Sequence, residues 1–335
     1  MRFLRTRAQR FILAAFILLL ALSSWFYVKV SNYYNAERVL AAPVYIDVTE
    51  GMGAKSLAKL LAKSGAGPWE LGNTLSMRLY GKPSGFKAGH YSFAGTMTLR
   101  QMLSDIYAGR VSMVDVTFPE GYTLRQMAPI LEAAGVTGAA GFIAVATDPA
   151  TPRRFDLPGD SLEGFLFPDT YRFARGLKPL KVVEAMVGRF KVVAKELGFI
   201  GRGDLYRTVI LASIIEKETG KGEERPLIAS VFENRLKIGM TLGSDPTVIY
   251  GIPDFDGNLR KVDLLRDAPY NTYVRKGLPP GPIANPGKES LQAVLNPAKT
   301  KYLYFVGKGD GSHYFSTSLA EHNRAVSKYQ LKGKK

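Results

Sequence analysis

Apolar residues fill nearly every position from Phe11 to Val28, behind Arg2, Arg5, Arg7 and Arg10, with no acid among those arginines. A helix over that run spans about 27 Å, close to the hydrocarbon thickness of a bilayer. Positive flanks stay cytoplasmic. The pattern therefore predicts a cytoplasmic basic segment over 1–10, a transmembrane helix over 11–30 and an extracytoplasmic (periplasmic) remainder. The alternative is a cleaved signal peptide, whose apolar core is usually shorter and ends at a small-residue cleavage site. Here the run passes through Ser23-Ser24 into Trp25-Phe26-Tyr27, aromatic residues suited to a membrane interface, and a retained single-pass anchor is the better fit.

Beyond the anchor the period changes. Lys29 to Ala42 is mixed and reads as a helical continuation or stalk. Val44 to Thr49 then alternates as a strand does, Glu50-Gly51 turns the chain, and Leu57, Leu60 and Leu61 recur at helical spacing until Gly65. The same unit returns: Val114–Thr117 as strand, Glu120-Gly121 as turn, and Leu124, Met127, Ala128 and Leu131 as a helix face ending at Gly135. The pentapeptide Thr-Leu-Arg-Gln-Met occurs at 98–102 and at 123–127, and both places read as helix starts with threonine as N-cap. A repeated strand–turn–helix is similar to the small LysM-type module that binds N-acetyl sugars in cell walls, so 43–112 is expected to be a LysM-like subdomain. Further on, helices are predicted over Leu180–Leu197, Leu205–Thr219 and Pro226–Ile238. The tract from there to His313 is rich in Pro, Gly, Tyr and Asn and reads as loops with short strands, the kind of segment that carries function. The fold class is α+β.

Composition narrows the chemistry. With no cysteine in 335 residues, disulfides, thiolate metal sites and a cysteine nucleophile are excluded, and three histidines argue against a multi-histidine metal site. Nothing points to a metal, nucleotide or redox cofactor. The formal charge of +16 includes the N-terminal arginines and the tail Lys332-Gly333-Lys334-Lys335. An extracytoplasmic chain meets anionic lipid and wall polymer before nucleic acid. The charge therefore reads either as attraction to an acidic envelope surface or as a generally basic solvated exterior.

The helix Leu205–Thr219 is apolar on most sides between Val209 and Ile215, so it is expected to be buried. Its last turn holds Glu216 and Glu218, which point about 200° apart and cannot form one carboxylate pair. Glu218 extends the apolar stripe through Leu211, Ile214 and Ile215. Desolvation and the negative end of the helix dipole should both raise its pKa, as suits an acid that protonates a glycosidic oxygen. From the residues alone, both glutamates at a solvated helix end, paired with Lys217 or Arg225, is the simpler reading, and Glu216 is nearly as good a candidate. Downstream loops stiffened by Gly and Pro carry Asp245, Thr247, Tyr250, Tyr270, Asn271, Tyr273 and Asn285. Such side chains offer hydrogen bonds and flat faces to a glycan, or serve ordinary turns.

At these residues the chain resembles the MltG (YceG-like) family, the membrane-anchored endolytic murein transglycosylases. The matching segments include Phe86–Tyr91, Glu120-Gly121, Leu162-Glu163-Gly164-Phe165-Leu166-Phe167-Pro168-Asp169-Thr170-Tyr171, Ala212–Thr219, Ala229–Leu236 and Asp245-Pro246-Thr247. They continue with Tyr270–Tyr273, Gly277–Gly281 and Tyr302–Val306, in order from about residue 44 to 329. The resemblance implies a catalytic domain over 113–329 after the LysM-like part, with a basic tail over 330–335. It implies Glu218 as catalytic acid/base, and Glu163, Asp245, Thr247, Tyr250, Tyr270, Asn271, Tyr273 and Asn285 as candidate substrate contacts. The implied reaction is non-hydrolytic cleavage of peptidoglycan glycan strands to 1,6-anhydro-muramic acid ends, without cofactor. Partners beyond the glycan and the cytoplasmic membrane, such as peptidoglycan synthases or division and elongation proteins, stay open. Gly243 departs from the family, which commonly has Gln there. Two rivals remain at this stage: a hydrolytic muramidase with Asp245 or Glu163 as second carboxylate, and a non-catalytic wall-binding scaffold.

Overall fold

A computed structural model describes residues 7–82, 85–199 and 204–331. Arg2, Arg5 and the tail from Lys332 onward lie outside the described residues. Contacts divide the chain into two units, one running to Val114 and taking in Ala174–Gly176, the other made of Asp115–Phe173 and Leu177 onward.

The first unit opens with α1 (Arg7–Asn35), of which Gln9–Asn35 is long and apolar enough to cross a membrane; its apolar stretch is not buried in protein, while Val30, Tyr33 and Tyr34 at its C-terminal end pack into the unit. Phe11, Ile17, Leu18 and Trp25 are all exposed on it. A helical stretch apolar on every side and unsheltered by protein suits a bilayer, as an anchor or a signal sequence would. The helix runs directly into β1 (Glu37–Val48), so the mixed segment forms no separate stalk. β1 pairs antiparallel with β2 (Gly89–Thr98), and the register breaks between Leu40 and Val44, where Pro43 cannot donate to the ladder. Between the strands lie α2 (Ala54–Lys63) and α3 (Glu70–Tyr80), and α4 (Leu99–Ala108) follows. Leu57, Leu61, Tyr91, Phe93, Met102 and Ile106 are the centre of this unit's core.

Next come β3 (Met113–Thr117), α5 (Leu124–Ala133), α6 (Ala139–Thr147), α7 (Ala150–Arg154) and β4 (Thr170–Ala174), with β3 paired to β4. Each copy of the repeat is thus bounded by two paired strands with helices between them. The correspondence reaches the backbone: Gly51 and Gly121 have φ of 75° and 76°, and Gly65 and Gly135 have φ of 81° and 67°. All four occupy the left-handed region that glycine enters without steric cost. Thr98 and Thr123 are N-caps, as the two pentapeptides predict, and each further closes a capping box with Gln101 and Gln126 respectively.

The rest of the second unit is α8 (Pro179–Glu196), α9 (Leu205–Glu218), α10 (Arg225–Lys237), α11 (Asp245–Tyr250), α12 (Lys261–Leu265), α13 (Lys288–Leu295), β5 (Tyr304–Gly307), β6 (His313–Ser316) and α14 (Leu319–Val326). β5 and β6 form an antiparallel hairpin. Every residue of α9 from Thr208 to Ile215 is buried. Helices α10, α11 and α13 all pack against it, so α9 is the axis of the unit. The architecture is mixed α+β, with one apolar N-terminal helix.

Candidate active site

α9 stops at Glu218 because Thr219 leaves helical geometry (φ −145°, ψ 139°) and Gly220 follows. The two glutamates of its last turn have different surroundings. Glu216 is nearly enclosed: Arg225 Nη2 donates to its Oε1 at 3.1 Å and the Gly287 amide to its Oε2 at 2.9 Å. Arg225 also pairs with Glu289, and more distantly with Glu120 at 3.7 Å. Glu216 is therefore not a solvated end group but the inner partner of an ion cluster tying α9 to α10 and to the start of α13.

Glu218 faces the other way, half-buried. The Ser244 hydroxyl donates to its Oε1 at 2.5 Å. Ser244 itself is held from all sides: its amide donates to Thr272 Oγ1 at 3.0 Å, and its carbonyl accepts from Thr247 Oγ1 at 2.6 Å. Thr247 and Thr272 share a further hydroxyl contact of 2.8 Å. Beside Ser244, exposed Asp245 accepts from the Tyr273 hydroxyl at 2.6 Å. Burial pushes the Glu218 carboxyl up to about 7; the Ser244 hydrogen bond and the charges of His313 and Arg235 pull it down, and the charge of Asp245 adds to the rise. Arg235, on α10, is fixed by the carbonyls of Leu242 and Leu303 and lies 5.4 Å from the Tyr304 ring centre. His313, on β6, meets Glu224 through its ring Nδ1 at 2.6 Å and through its amide at 2.8 Å. Burial tends to raise the Glu224 carboxyl, but its contacts with His313 outweigh that and hold it below the usual range.

An open cleft of about 800 Å³ is lined by Lys217 and Pro246, the chain neighbours of Glu218 and Asp245, and by Arg125, Glu163, Tyr250 and Tyr270 among others. Tyr250 and Tyr270 lie against each other, ring centres 4.9 Å apart and planes at 57°. Glu163 is buried in its wall. It accepts from the Leu124 amide at 3.2 Å, from Asn285 Nδ2 at 3.0 Å and from the Tyr250 hydroxyl at 3.2 Å. Burial pushes it up to about 8 against those bonds.

The structure thus brings Glu218, Asp245 and Tyr273 together, and lines the adjoining cleft with Tyr250 and Tyr270. Thr247, Asn271 and Asn285 are fully enclosed and engaged with the protein. Asn271 Nδ2 satisfies the carbonyls of Asp263, Leu264 and Arg266 at the end of α12. Asn285 joins the Leu166 amide, the Tyr122 carbonyl and Glu163. These three side chains, with Glu163, hold the walls of the site. Ser244, Arg235 and the Glu224–His313 pair were not singled out from the sequence. Ser244 carried a signal in its place directly before Asp245-Pro246-Thr247, and Arg235 in its place within the matching segment Ala229–Leu236. Gly243 has φ 57°, and a Cβ there would sit 3.6 Å from both Arg235 Nη1 and Tyr273 Cε1. A longer side chain at this position would emerge beside those two residues, and glycine leaves that space open.

The YceG-like family matches residues 46–328. The chain belongs to that family. A Bacillus subtilis (strain 168) protein named endolytic murein transglycosylase is 32% identical over 309 residues, covering 85% of this chain and 84% of the relative. A Streptococcus pneumoniae (strain D39) protein of the same name is 27% identical over 324 residues, covering 85% of this chain and 58% of the relative. Among solved structures, a yceG-like protein of Listeria monocytogenes is similar with a TM-score of 0.58 and 29% identity, covering 84% of this chain and 98% of that one. The family match begins inside β1, so α1 lies outside it.

Proposed function

We propose that this chain is a membrane-anchored endolytic lytic transglycosylase that cuts between N-acetylmuramic acid and N-acetylglucosamine within peptidoglycan glycan strands. The names of its relatives support the reaction class. The observation that carries the mechanism is the half-buried carboxyl of Glu218 at the end of α9, pushed by burial up to about 7 and bonded to Ser244, near an open, tyrosine-lined cleft. Glu218 in its acid form protonates the leaving glycosidic oxygen. As carboxylate it then takes the proton from the C6 hydroxyl of the muramic acid, whose oxygen bonds to C1. The C1–O bond to the leaving sugar breaks, a 1,6-anhydro ring closes, and Glu218 ends reprotonated with no water consumed. Because the nucleophile belongs to the substrate, a second catalytic carboxylate is not required, unlike in most glycosidases. The flanking side chains Asp245, Tyr250, Tyr270 and Tyr273 are the substrate contacts in this reading. α1 holds the enzyme in the cytoplasmic membrane with the remainder outside, and residues 43–112 act as a LysM-like subdomain that binds wall glycan, a reading their strand–helix–helix–strand order supports.

One observation favours a second reading. Asp245 is exposed, and its charge acts on Glu218, as the base of a hydrolytic muramidase would.

Paired variants test the assignment of the acid. Glu218→Gln cannot donate or accept the proton and should lose roughly 10²–10⁴-fold in activity on purified sacculi, with the fold intact. Glu216→Gln loosens the Arg225 cluster and should cost about 2 kcal/mol of stability while the folded enzyme keeps its turnover. A dead Glu216→Gln beside an active Glu218→Gln would reverse the roles.

A further inference from the structure

The cleft beside Glu218 carries charge that bond cleavage leaves unused. Arg125 on α5 and Lys217 on α9 both line it, against one exposed acid, Asp254. The carboxyl of Glu163 in the wall is pushed by burial up to about 8, which favours its neutral form. Arg125 is exposed and, among the described residues, pairs with no carboxylate. Lys217 donates only at 3.3 Å, to the Gly121 carbonyl, which leaves hydrogens on its ammonium for another acceptor. The glycan backbone is built of uncharged N-acetyl sugars, so two cations have little to do with the sugar rings themselves. The carboxylates of peptidoglycan sit on the peptide branches attached to muramic acid.

We propose that this cleft is a subsite for the acidic peptide branch of the substrate, with a branch carboxylate held by Arg125 and Lys217 and the peptide lying across Tyr250 and Tyr270. The proposal rests on the transglycosylase reading and adds a specificity to it. The guanidinium fork of Arg125 can hold a carboxylate with two parallel hydrogen bonds. The tyrosine pair gives a flat, amphipathic surface for a peptide chain. The volume of about 800 Å³ is in the range of sites that enclose a ligand of a few residues.

The test compares two substrates made from one batch of glycan strands, intact or stripped of peptides by an amidase. Stripped strands keep a carboxylate on the lactyl group of muramic acid, so the pair also separates the two sources of that charge. With full-length protein in detergent, kcat/KM on peptide-bearing strands should exceed that on stripped strands by about tenfold, carried mainly by KM. Arg125→Ala should shrink that ratio to within about twofold and Arg125→Lys should restore part of it, both with unchanged circular dichroism. Equal rates for wild type on the two substrates, or a preference that survives Arg125→Ala, would overturn the subsite. A loss by Arg125→Ala confined to stripped strands would assign the cations to the lactyl group instead and overturn the peptide assignment. If wild type cuts neither substrate, the transglycosylase reading itself fails and the subsite falls with it.

Discussion

A carboxyl at the last position of a buried helix meets two penalties when it ionises: lost hydration, and the partial negative charge of the helix end. Glu218 stands in that position; the apolar stripe through Leu211, Ile214 and Ile215 pointed toward it, but the residues alone favoured two solvated glutamates, and it was the family resemblance that separated Glu218 from Glu216. Its partners were not legible, because Ser244, Arg235 and His313 arrive from other elements far along the chain. Glu163 meets the first of these penalties in full, buried away from solvent and at no helix end. Its folded-state pKa of about 8 lies above the usual glutamate value of about 4.3, so between those values the folded chain keeps a proton that the unfolded chain has released. The contribution of Glu163 to stability should therefore be greatest below the ordinary glutamate range and decline as the pH rises from there to about 8. The decline is at most about 1.4 kcal/mol per pH unit. Glu163→Gln still accepts through its oxygen and can donate to Tyr250, and the neutral amide should flatten that decline. Thermal melts from pH 4 to pH 9 check this; identical slopes in the two proteins would mean that Glu163 ionises normally in the fold.

Among the elements, the duplicated pentapeptide was the clearest text. Thr98 and Thr123 precede helices in both copies, each followed three residues later by glutamine, and both form the reciprocal cap. Replacing such a cap by alanine costs about 1 kcal/mol. Thr123→Ala should lower stability by that amount in chemical denaturation. It should also loosen the start of α5, where Glu163 holds the Leu124 amide. A loss of less than a few tenths of a kcal/mol would mean that the Glu163 contact alone fixes this helix end. α3, α6 and α13 were not read from the sequence. The buried face of α3 is Gly72, Asn73, Ser76 and Met77, mostly small or polar, with Asn73 satisfied by the carbonyls of Ala58 and Gly67. α6 is apolar or small almost throughout, so it has no stripe to read. α13 follows a Pro/Gly-rich loop, and its helical spacing of Ser290, Leu291, Ala293 and Val294, buried against α9 and α10, is too short a run to stand out from that loop.

For the whole molecule, an N-terminal apolar helix followed by a doubled strand–helix unit and a glutamate-ended central helix was readable in outline. The walls of the site were not, because buried Asn271, Thr247 and Asn285 look the same in sequence as exposed sugar contacts. Only their enclosure tells them apart. The chemical outcome depends on one question that the whole site answers together: whether Glu218 works with the substrate's own hydroxyl or shares the work with Asp245. Mass spectrometry of the muropeptides released from purified sacculi by the full-length protein decides it most directly. The transglycosylase account predicts ends that carry 1,6-anhydro-muramic acid, lighter by one water than hydrolysed ends, and no such product from Glu218→Gln. Hydrated reducing ends from the wild type, or undiminished product from Glu218→Gln, would contradict it.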